Sequence, residues 1–396
     1  MRLNKDQKRI HDEALDAIRS GHLLYEYGGG AGTGKTYTMY SICKDSGINF
    51  NNILPMAYTG AAASVMRTKG FTNATTLHSG LYDCIEVPNP DYNEAAAVNG
   101  YGISTVPKTI YKFIPKNFLP GIDLIVIDEG YMCPHYMRSI IERFEIPVLV
   151  TGDPHQLGPV KARPAYLNHS NFSMLHEIMR QDQDNPIVWI AQRILEDLPI
   201  HKGIYGNKVF VCEQDELTDN LLTSSNLILC CKNATRDYLN GYIRHNIFHY
   251  NERLPNYGER IICRKNNHNI NIDGIELSNG LIGYCISQPN LDPRDSDTFI
   301  MDFIPDVTNR PFKALVCDYK YFVSPSKIRA KYIDDYATGE RFEFAYAITV
   351  HLSQGSEAPN GIYFKEYLRR DMQKRLDYTA VTRFKNTMIY VLPPRY

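Results

Sequence analysis

The pattern of hydrophobic and polar positions along this chain alternates between short apolar runs and amphipathic segments. Apolar residues three and four apart predict a helix over residues 4–20, and the apolar run 23–27 predicts a strand. A glycine-rich turn follows this strand, and a second helix is expected from Lys35. Strands that alternate with helices are typical of parallel βαβ units, so the sequence predicts an α/β protein with a doubly wound sheet.

The same alternation continues through most of the chain. Further strands are predicted over residues 53–58, 124–127, 147–150, 208–212, 227–231 and 388–392, and further helices over 61–67 and 234–248.

Two segments interrupt this rhythm. Prolines and glycines are frequent between His78 and Asp123, which indicates an inserted subdomain such as a hairpin. Short β-like runs dominate residues 251–340 and predict a small all-β insert, in the form of a barrel. We therefore expect two α/β domains with one insertion each. The expected bounds are 1–78 with 120–174 for the first domain and 79–119 for its insert, then 175–250 with 340–396 for the second domain and 251–339 for its insert.

Composition narrows the class of protein. The chain has 396 residues, of which 43% are hydrophobic and 22% charged, with a formal net charge of −1. These values are ordinary for a globular protein of several structural units. The balanced charge argues against a histone-like polycation, so a nucleic-acid site would be a local groove.

Cysteine usage and hydropathy indicate a cytoplasmic protein. The nine cysteines form no CxxC pair, which favours reduced thiols and makes a zinc site improbable. No apolar run approaches the roughly 18–20 residues of a membrane span, and the N-terminus is too polar for a signal peptide. Frequent Tyr, Asn and Ile hint at an AT-rich genome such as that of a phage, which would place the protein in the host cytoplasm.

A phosphate-binding loop stands between the first predicted strand and its helix. The string GGGAGTGKT matches GxxxxGK[ST], with Gly29, Gly34, Lys35 and Thr36 at the defining positions. Glycines let backbone amides surround phosphate oxygens, and the helix N-terminus adds a favourable dipole. We expect Lys35 to contact the β- and γ-phosphates and Thr36 to bind Mg²⁺. The alternative is a chance glycine loop, against which the strand-to-helix context argues.

An acidic pair ends a second predicted strand. The run 124–127 leads into Asp128 and Glu129, at the carboxyl edge where ligands bind in such sheets. Asp128 would hold the Mg²⁺ shell, and Glu129 would orient and deprotonate the attacking water. The alternative, a solvated turn, is weakened by the buried strand that precedes it.

Further motifs, in a fixed order, resemble those of superfamily 1 helicases. They are NKDQ (4–7), AYTGAA (57–62), ATTLH (74–78), GDPHQL (152–157), MRQ (179–181), TVHLSQGSE (349–357) and YTAVTR (378–383). The chain is most similar to the 5′→3′ branch that includes RecD, and Dda-like phage helicases are the nearest group. The resemblance implies two RecA-like P-loop domains, with a pin-bearing hairpin insert in the first and an SH3-like β-barrel insert in the second.

The resemblance also assigns roles to the nucleotide site. It implies that Gln7 reads the adenine edge, that Gln156 senses the γ-phosphate, and that Arg180 and Arg383 act as arginine fingers. Two arginines from the second domain would neutralise the charge of the transferring phosphoryl group. The remaining implied nucleotide contacts are Gly29, Gly30, Ala31, Gly32, Thr33, Gly34, Lys35, Thr36, Gly355 and Glu357. Gln7 also stands three residues after Asn4 at a helix start, which is a capping-box spacing.

Strand contacts are implied at Thr59, His78, Thr349 and His351, and the alternative for His351 is a helix-packing histidine. Aromatic and basic residues in the two inserts are further candidates, because aromatics stack bases and cations hold phosphates. Charge runs are more often solvated faces. The candidates are Tyr92, Tyr101, Lys108, Tyr111, Lys112, Phe113 and Lys116 in the first insert, and Arg264, Lys265, Lys327, Arg329 and Lys331 in the second.

The sequence departs from the family pattern at two places. Gly130, Tyr131 and Met132 follow the acidic pair, where the family has a small residue and then Ser or Thr. Ala61 stands where a basic residue is frequent, so one phosphate contact is expected to be missing.

The expected function is that of an ATP-dependent, Mg²⁺-requiring DNA helicase that moves 5′→3′ on single-stranded DNA and unwinds duplex, in replication, recombination or repair. The alternative is a translocase that displaces bound proteins without processive unwinding. A P-loop phosphotransferase and a non-catalytic scaffold fit the last two motifs and the intact catalytic residues less well. Expected partners are single-stranded and forked DNA, with a single-strand-binding protein or replication proteins, and the chain is expected to be a monomer without membrane contact.

Overall fold

A computed structural model describes residues 3–88, 109–169, 172–178, 185–272, 275–293, 295–324, 339–368 and 370–394. The chain divides into two compact units. The first unit comprises Met1–Leu77, Leu119–Asn251 and Ala345–Tyr396, and the second comprises His78–Phe118 and Glu252–Phe344.

The strands and helices are numbered in chain order. The strands are β1 (Leu24–Gly29), β2 (Ile53–Ala57), β3 (Thr75–Thr76), β4 (Tyr82–Pro88), β5 (Thr109–Pro115), β6 (Leu124–Asp128), β7 (Val148–Gly152), β8 (Ser173–Leu175), β9 (Gly203–Tyr205), β10 (Val209–Cys212), β11 (Leu227–Cys230), β12 (Arg260–Cys263), β13 (Asn267–Ile272), β14 (Ile275–Leu277), β15 (Ile282–Cys285), β16 (Asn290–Asp292), β17 (Asp295–Pro305), β18 (Phe312–Asp318), β19 (Phe342–Phe344), β20 (Ala347–Thr349), β21 (Ala358–Phe364) and β22 (Phe384–Val391). The α-helices are α1 (Lys5–Arg19), α2 (Lys35–Asp45), α3 (Gly60–Thr68), α4 (Leu77–Leu81), α5 (His135–Glu142), α6 (Pro186–Leu195), α7 (Asp219–Ser224), α8 (Asn233–Tyr242), α9 (Tyr319–Val323) and α10 (Arg370–Val381).

The first sheet of unit 1 has the order β3-β2-β6-β7-β1-β8, and all of its pairings are parallel. Every residue of β6 and β7 is buried, as expected for central strands covered on both faces. Helices α1, α2 and α3 pack on this sheet around a core that includes Ile10, Met39 and Met66. The carboxyl ends of β1 and β6 therefore lie at one edge of the sheet, where the two sequence motifs were predicted.

The second sheet of unit 1 has the order β20-β11-β21-β22-β10-β9. Its pairings are parallel except that β9 runs antiparallel to β10 at the edge. Helix α8 ends at Tyr242, and the chain continues as a π-helix over Ile243–Ile247. The segment 234–248, predicted as a single helix, therefore contains an α-helix and a π-helix. The spacing of apolar residues does not reveal where the hydrogen-bond spacing changes from one form to the other.

Glu366 follows β21 of the second sheet, and its carboxylate lies at the N-terminus of α8. One of its carboxylate oxygens accepts hydrogen bonds from the backbone N–H groups of Cys231 (2.7 Å) and Lys232 (2.9 Å). The other accepts from the hydroxyl of Thr235 at 2.6 Å. A carboxylate is favoured there because these amides lie at the N-cap of α8 and one residue before it, where the helix N-terminus carries a partial positive charge.

Unit 2 contains two β-structures. Strands β4 and β5 form an antiparallel hairpin of seven residue pairs, from Tyr82–Pro115 to Pro88–Thr109. The second part is a sheet of order β16-β17-β15-β12-β19, with β18 also paired to β17, and a small β13-β14 ribbon. This sheet runs to Phe344, beyond the boundary expected at 339, because β19 pairs with β12. Its comparison to an SH3-like barrel stays a prediction.

The predicted α/β fold class is confirmed by the two largely parallel sheets. The assignment of the two β-rich segments as inserts of the α/β domains stays a prediction. In the part of the chain that the structure describes, no helix has the length and apolar character to cross a membrane.

Candidate active site

The phosphate-binding loop connects β1 to α2 through a backbone that glycine favours. Gly32 and Gly34 have φ values of 79° and 81°, in the left-handed region that L side chains rarely adopt. A Cβ on Gly29 would lie 2.5 Å from the Thr33 hydroxyl oxygen. The loop therefore needs glycine for its turns and for its close packing, which agrees with the GxxxxGK[ST] pattern.

Lys35 and Thr36 open α2 directly after this loop. The Lys35 ammonium donates to the Gly30 carbonyl at 3.2 Å and so lies over the loop. The Thr36 hydroxyl donates to Asp128 Oδ2 at 2.9 Å. Hydroxyl and carboxylate oxygens are hard ligands of the kind Mg²⁺ accepts, and the ion usually keeps several waters. This pair therefore fits the predicted metal site.

The acidic pair lies at the end of β6. Glu129 has a φ of 53°, and its N–H donates to Asp128 Oδ1 at 2.9 Å. Burial raises the pKa of both carboxyls, whereas the Lys35 ammonium lowers it. Gly130, a small residue as in the family pattern, has a local reason, since a Cβ there would lie 2.2 Å from Val150 Cγ1.

Gln7 is buried behind the phosphate-binding loop. Its backbone N–H donates to the Asn4 side chain at 2.7 Å, and its side-chain oxygen accepts from the Asn4 N–H at 3.2 Å. The capping box considered from the sequence is therefore formed. The Gln7 amide also donates to the Thr33 carbonyl at 3.1 Å, so the same side chain fixes the loop. Its contact with adenine stays a prediction.

Gln156 and Arg383 meet from the two sheets of unit 1. Gln156 follows β7 of the first sheet, and Arg383 immediately precedes β22 of the second. The Arg383 guanidinium donates to Gln156 Oε1 at 2.7 Å and to the carbonyls of Ser356 (3.3 Å) and Thr379 (3.2 Å). Both side chains are buried. A charge-assisted bond thus connects two motif residues that are 227 positions apart.

These residues surround a cavity of about 680 Å³. A cavity of this size lies within the usual range of ligand sites. The predicted nucleotide-site residues along its wall are Gln7, Ala31, Gly32, Gly34, Lys35, Thr36, Asp128, Glu129, Gln156, Gly355, Glu357 and Arg383. Gly30, Ala31 and Thr33 face a smaller cavity of about 170 Å³ on another side of the loop. The structure therefore brings most of the predicted nucleotide residues together.

Gly355 and Glu357 have different surroundings along this wall. Gly355 has a φ of 81°, and a Cβ there would lie 2.4 Å from the Thr59 hydroxyl oxygen. Glu357 forms an ion pair with Lys385 at 2.5 Å. The Thr59 hydroxyl accepts the N–H of Ala62 and caps α3. Thr59 therefore has a structural role beside the strand contact predicted for it.

The other predicted strand contacts are divided between the units. Thr349 is buried at the end of β20 in unit 1, and its carbonyl accepts the N–H of Leu352 at 2.9 Å. His351 follows it, and burial lowers the pKa of its imidazole. His78 belongs to unit 2, where its ring stacks on Tyr82 with centroids 5.9 Å apart.

Several insert candidates already have structural contacts. The Lys116 ammonium donates to the Ser79 carbonyl at 3.1 Å, Arg264 pairs with Glu343 at 3.3 Å, and Lys265 donates to the Gly339 carbonyl at 3.2 Å. Phe113 is exposed on the hairpin. The candidates Arg180, Tyr92, Tyr101, Lys108, Lys327, Arg329 and Lys331, and the side chain of Tyr111, lie outside the described part of the chain.

Two residues of the site were not singled out from the sequence. Tyr378, on α10, donates to Asp153 Oδ2 at 2.8 Å and accepts the N–H of Ala31 at 3.4 Å. Arg375 on the same helix donates to the carbonyls of Pro154 (2.6 Å) and Gln156 (2.8 Å). Asp153 and Tyr378 belong to the GDPHQL and YTAVTR strings, which were the available signal.

Comparison with known proteins gives a family and a fold. A family model described as an AAA domain matches residues 2–199, which is half of the chain. The chain is 27% identical over 175 residues to an ATP-dependent DNA helicase PIF1 of Trypanosoma brucei brucei. That match covers 41% of this chain and only 15% of the relative, so the chain corresponds to a small part of that protein's length.

Two solved structures share the fold over nearly the full length of both chains. One, of two coordinating Pif1 helicases unwinding forked double-stranded DNA, has a TM-score of 0.57 at 16% identity and covers 100% of this chain and 95% of the other. The second, Pif1 helicase from Bacteroides in complex with ADP-AlF3 and single-stranded DNA, has a TM-score of 0.55 at 15% identity, with the same coverage of 100% and 95%. At these identities the likeness establishes a common fold.

Proposed function

The chain belongs to the family of AAA-domain proteins, and from this premise and the geometry of its cleft we propose that it is an ATP-dependent DNA helicase. The predicted relation to superfamily 1B helicases is confirmed by this family match and by the shared fold. The narrower likeness to Dda-like phage helicases stays a prediction.

One observation supports the proposal above the others, namely the bond between Arg383 and Gln156. It joins the second sheet to the first at the cavity that also contains Lys35 and Glu129. A site built from two α/β halves couples the state of its ligand to their separation. Such coupling is what a motor needs.

The chain's own groups can perform phosphoryl transfer to water. Lys35 would neutralise the β- and γ-phosphates, and Glu129 would orient the attacking water and take its proton. Arg383 would break its bond to Gln156, turn to the γ-phosphate and offset the charge that develops there. Arg180 would act as the second arginine finger. Thr36 and Asp128 would hold Mg²⁺, which supplies further charge neutralisation when bound.

The proposed cycle follows from this arrangement. ATP would draw Arg383 towards the phosphates and close the halves, and hydrolysis would release them. Alternate grip of a strand by the two halves would then convert each closure into a step. On family resemblance we assign the grip of the two halves to Thr59, Thr349 and His351, a further strand contact to His78 of unit 2, and the direction to 5′→3′.

Support for DNA as the partner comes from the relatives. One fold relative has single-stranded DNA bound, and another is described acting at forked duplex DNA. We extend this to single-stranded and forked DNA for the present chain, acting as a monomer in replication, recombination or repair. A single-strand-binding protein or replication proteins are the proposed cellular partners.

The test is ATP-dependent unwinding of forked DNA with either a 5′ or a 3′ single-stranded tail. A Lys35→Ala variant is the inactive control, and Lys44→Ala, which removes an exposed lysine from the same helix, is the matched control. We expect unwinding from the 5′ tail in the wild type and in Lys44→Ala, and none in Lys35→Ala.

The other outcomes separate the alternatives. Unwinding from the 3′ tail would refute the polarity but not the helicase. ATP hydrolysis that single strands stimulate, without unwinding, would establish the translocase instead. No stimulation by any nucleic acid would refute the motor.

A further inference from the structure

Tyr378 connects the second sheet to the phosphate-binding loop. It lies in the last turn of α10, which belongs to the second half of unit 1, yet its hydroxyl contacts two groups of the first half. The hydroxyl donates to Asp153 Oδ2 at 2.8 Å and accepts the backbone N–H of Ala31 at 3.4 Å. Burial raises the pKa of Tyr378 well above its ordinary value, so the hydroxyl keeps the proton that it donates.

Asp153 connects Tyr378 to Gln156, because its carboxylate accepts hydrogen bonds from both side chains. Its carboxylate is fully buried, and Oδ1 accepts the N–H of His155 at 3.0 Å. Oδ2 accepts both the Tyr378 hydroxyl and, at 3.4 Å, the Gln156 side-chain amide. A buried carboxylate that loses one of these donors is left partly unsatisfied and can turn. The orientation of Gln156 therefore depends on Asp153, and that of Asp153 on Tyr378.

These hydrogen bonds form a closed ring of contacts between the two α/β halves of unit 1. Gln156 Oε1 accepts from Arg383, and Arg383 donates in turn to the Thr379 carbonyl, next to Tyr378 in the chain. The Thr379 hydroxyl accepts the N–H of Leu157 at 3.0 Å. Tyr378 in the last turn of α10 and Arg383 just after this helix thus hold both ends of the Asp153–Gln156 pair.

We propose that Tyr378 is a positioning residue for ATP hydrolysis, which sets the orientation of Gln156 through Asp153 and reports the closure of the halves to the phosphate-binding loop. The inference rests on the proposed ATPase function and deepens it. A purely packing role for the ring would need no hydroxyl, because phenylalanine fills the same space. The hydroxyl is therefore the atom to test.

Tyr378→Phe removes this hydroxyl and keeps the ring. Tyr390→Phe is the matched control, since the Tyr390 side chain is also buried in the second half and its hydroxyl has no hydrogen-bond partner within the described residues. Steady-state ATP hydrolysis is measured with saturating single-stranded DNA for the wild type and both variants. Circular dichroism and urea unfolding establish that each variant is folded.

We expect Tyr378→Phe to lower kcat and kcat/KM together by about ten- to a hundredfold, which is the range for a lost hydrogen bond to a charged group. Equal losses in both constants mark an interaction made in the transition state. Tyr390→Phe should keep the wild-type values. Asp153→Asn should lose a similar factor, and the double variant Tyr378→Phe/Asp153→Asn should be no slower than the slower single variant, because both act through one path.

Three results would overturn the inference. They are a Tyr378→Phe rate equal to that of Tyr390→Phe, a change in KM alone, or losses that multiply in the double variant. Should Tyr378→Phe fail to fold, Asp153→Asn with the wild-type tyrosine carries the test through the same change in kcat. A wild type without DNA-stimulated hydrolysis would refute the proposed function itself, whereas an active wild type with an equally active Tyr378→Phe would refute only the positioning role.

Discussion

Gly355→Ala separates the cost of a strained backbone from the cost of pushing two parts of the molecule apart. Gly355 has a φ of 81°, and its loop in the second half approaches the start of α3 in the first. A Cβ there would lie 2.4 Å from the Thr59 hydroxyl oxygen and 3.2 Å from the Ala62 backbone nitrogen. Neither neighbour is free to withdraw, because the Thr59 hydroxyl and the Ala62 N–H are bonded to each other.

The expected loss in the free energy of unfolding of Gly355→Ala has two parts. An L side chain in the left-handed region costs about 1–2 kcal/mol, and forcing extra volume into a packed contact costs about 1–3 kcal/mol more. Gly47 supplies the control, since its φ is 84° and a Cβ there would meet nothing within 4 Å. Gly47→Ala should therefore show only the backbone part, and Gly355→Ala the sum, about 2–5 kcal/mol.

The assay is urea unfolding of both variants, followed by DNA-stimulated ATP hydrolysis. We expect the free energy of unfolding to fall further in Gly355→Ala than in Gly47→Ala by about 1–3 kcal/mol. ATP hydrolysis should fall in Gly355→Ala alone, because only this change disturbs the contact between the halves. Equal destabilisation of the two variants, or full activity in Gly355→Ala, would show that the loop yields and that the contact is not a determinant of closure.

Two further substitutions test single side chains. Glu129→Gln should lower kcat by about 10²–10⁴-fold and retain ATP binding, as removal of a general base does, while the control Glu145→Gln, at an exposed residue, should keep the wild-type values. Phosphate release measures kcat, and binding of a fluorescent ATP analogue measures the affinity. An active Glu129→Gln would exclude Glu129 as the base. Glu366→Ala should destabilise the chain by about 1–3 kcal/mol, because the amides of Cys231 and Lys232 lose their acceptor, and Glu366→Gln should lose less; urea midpoints check this, and unchanged midpoints would contradict it.

The parts of the site that could be predicted are those encoded by adjacent residues. The phosphate-binding loop is specified by a strand, a glycine turn and a helix within one continuous segment, so Lys35 and Thr36 were found with their context. The acidic pair is equally local, because an apolar run places Asp128 at the carboxyl edge of the sheet. Local periodicity and turn chemistry are sufficient for such motifs.

The contacts between motifs depend on tertiary packing and could not be predicted in this way. The Tyr378–Asp153 bond joins residues 225 positions apart, and no pattern in either string indicates that the two side chains meet. The end of the β-rich insert has the same origin, since Phe342–Phe344 joins it by pairing with β12 and by ring packing against Phe303 and Phe322. Family resemblance supplied roles for Gln156 and Arg383, but not the bond that joins them.

The carboxylate of Glu366 at the start of α8 has a consequence for stoichiometry. The two amides and the hydroxyl that it occupies are the kind of donors that would hold a phosphate at the proposed phosphate-binding loop of the first sheet. In the second sheet the chain supplies its own anion, so a nucleotide would have to displace an internal ligand. The proposed motor would therefore bind one nucleoside triphosphate per chain in each cycle of closure and release. Nucleotide titration should saturate at one equivalent per chain.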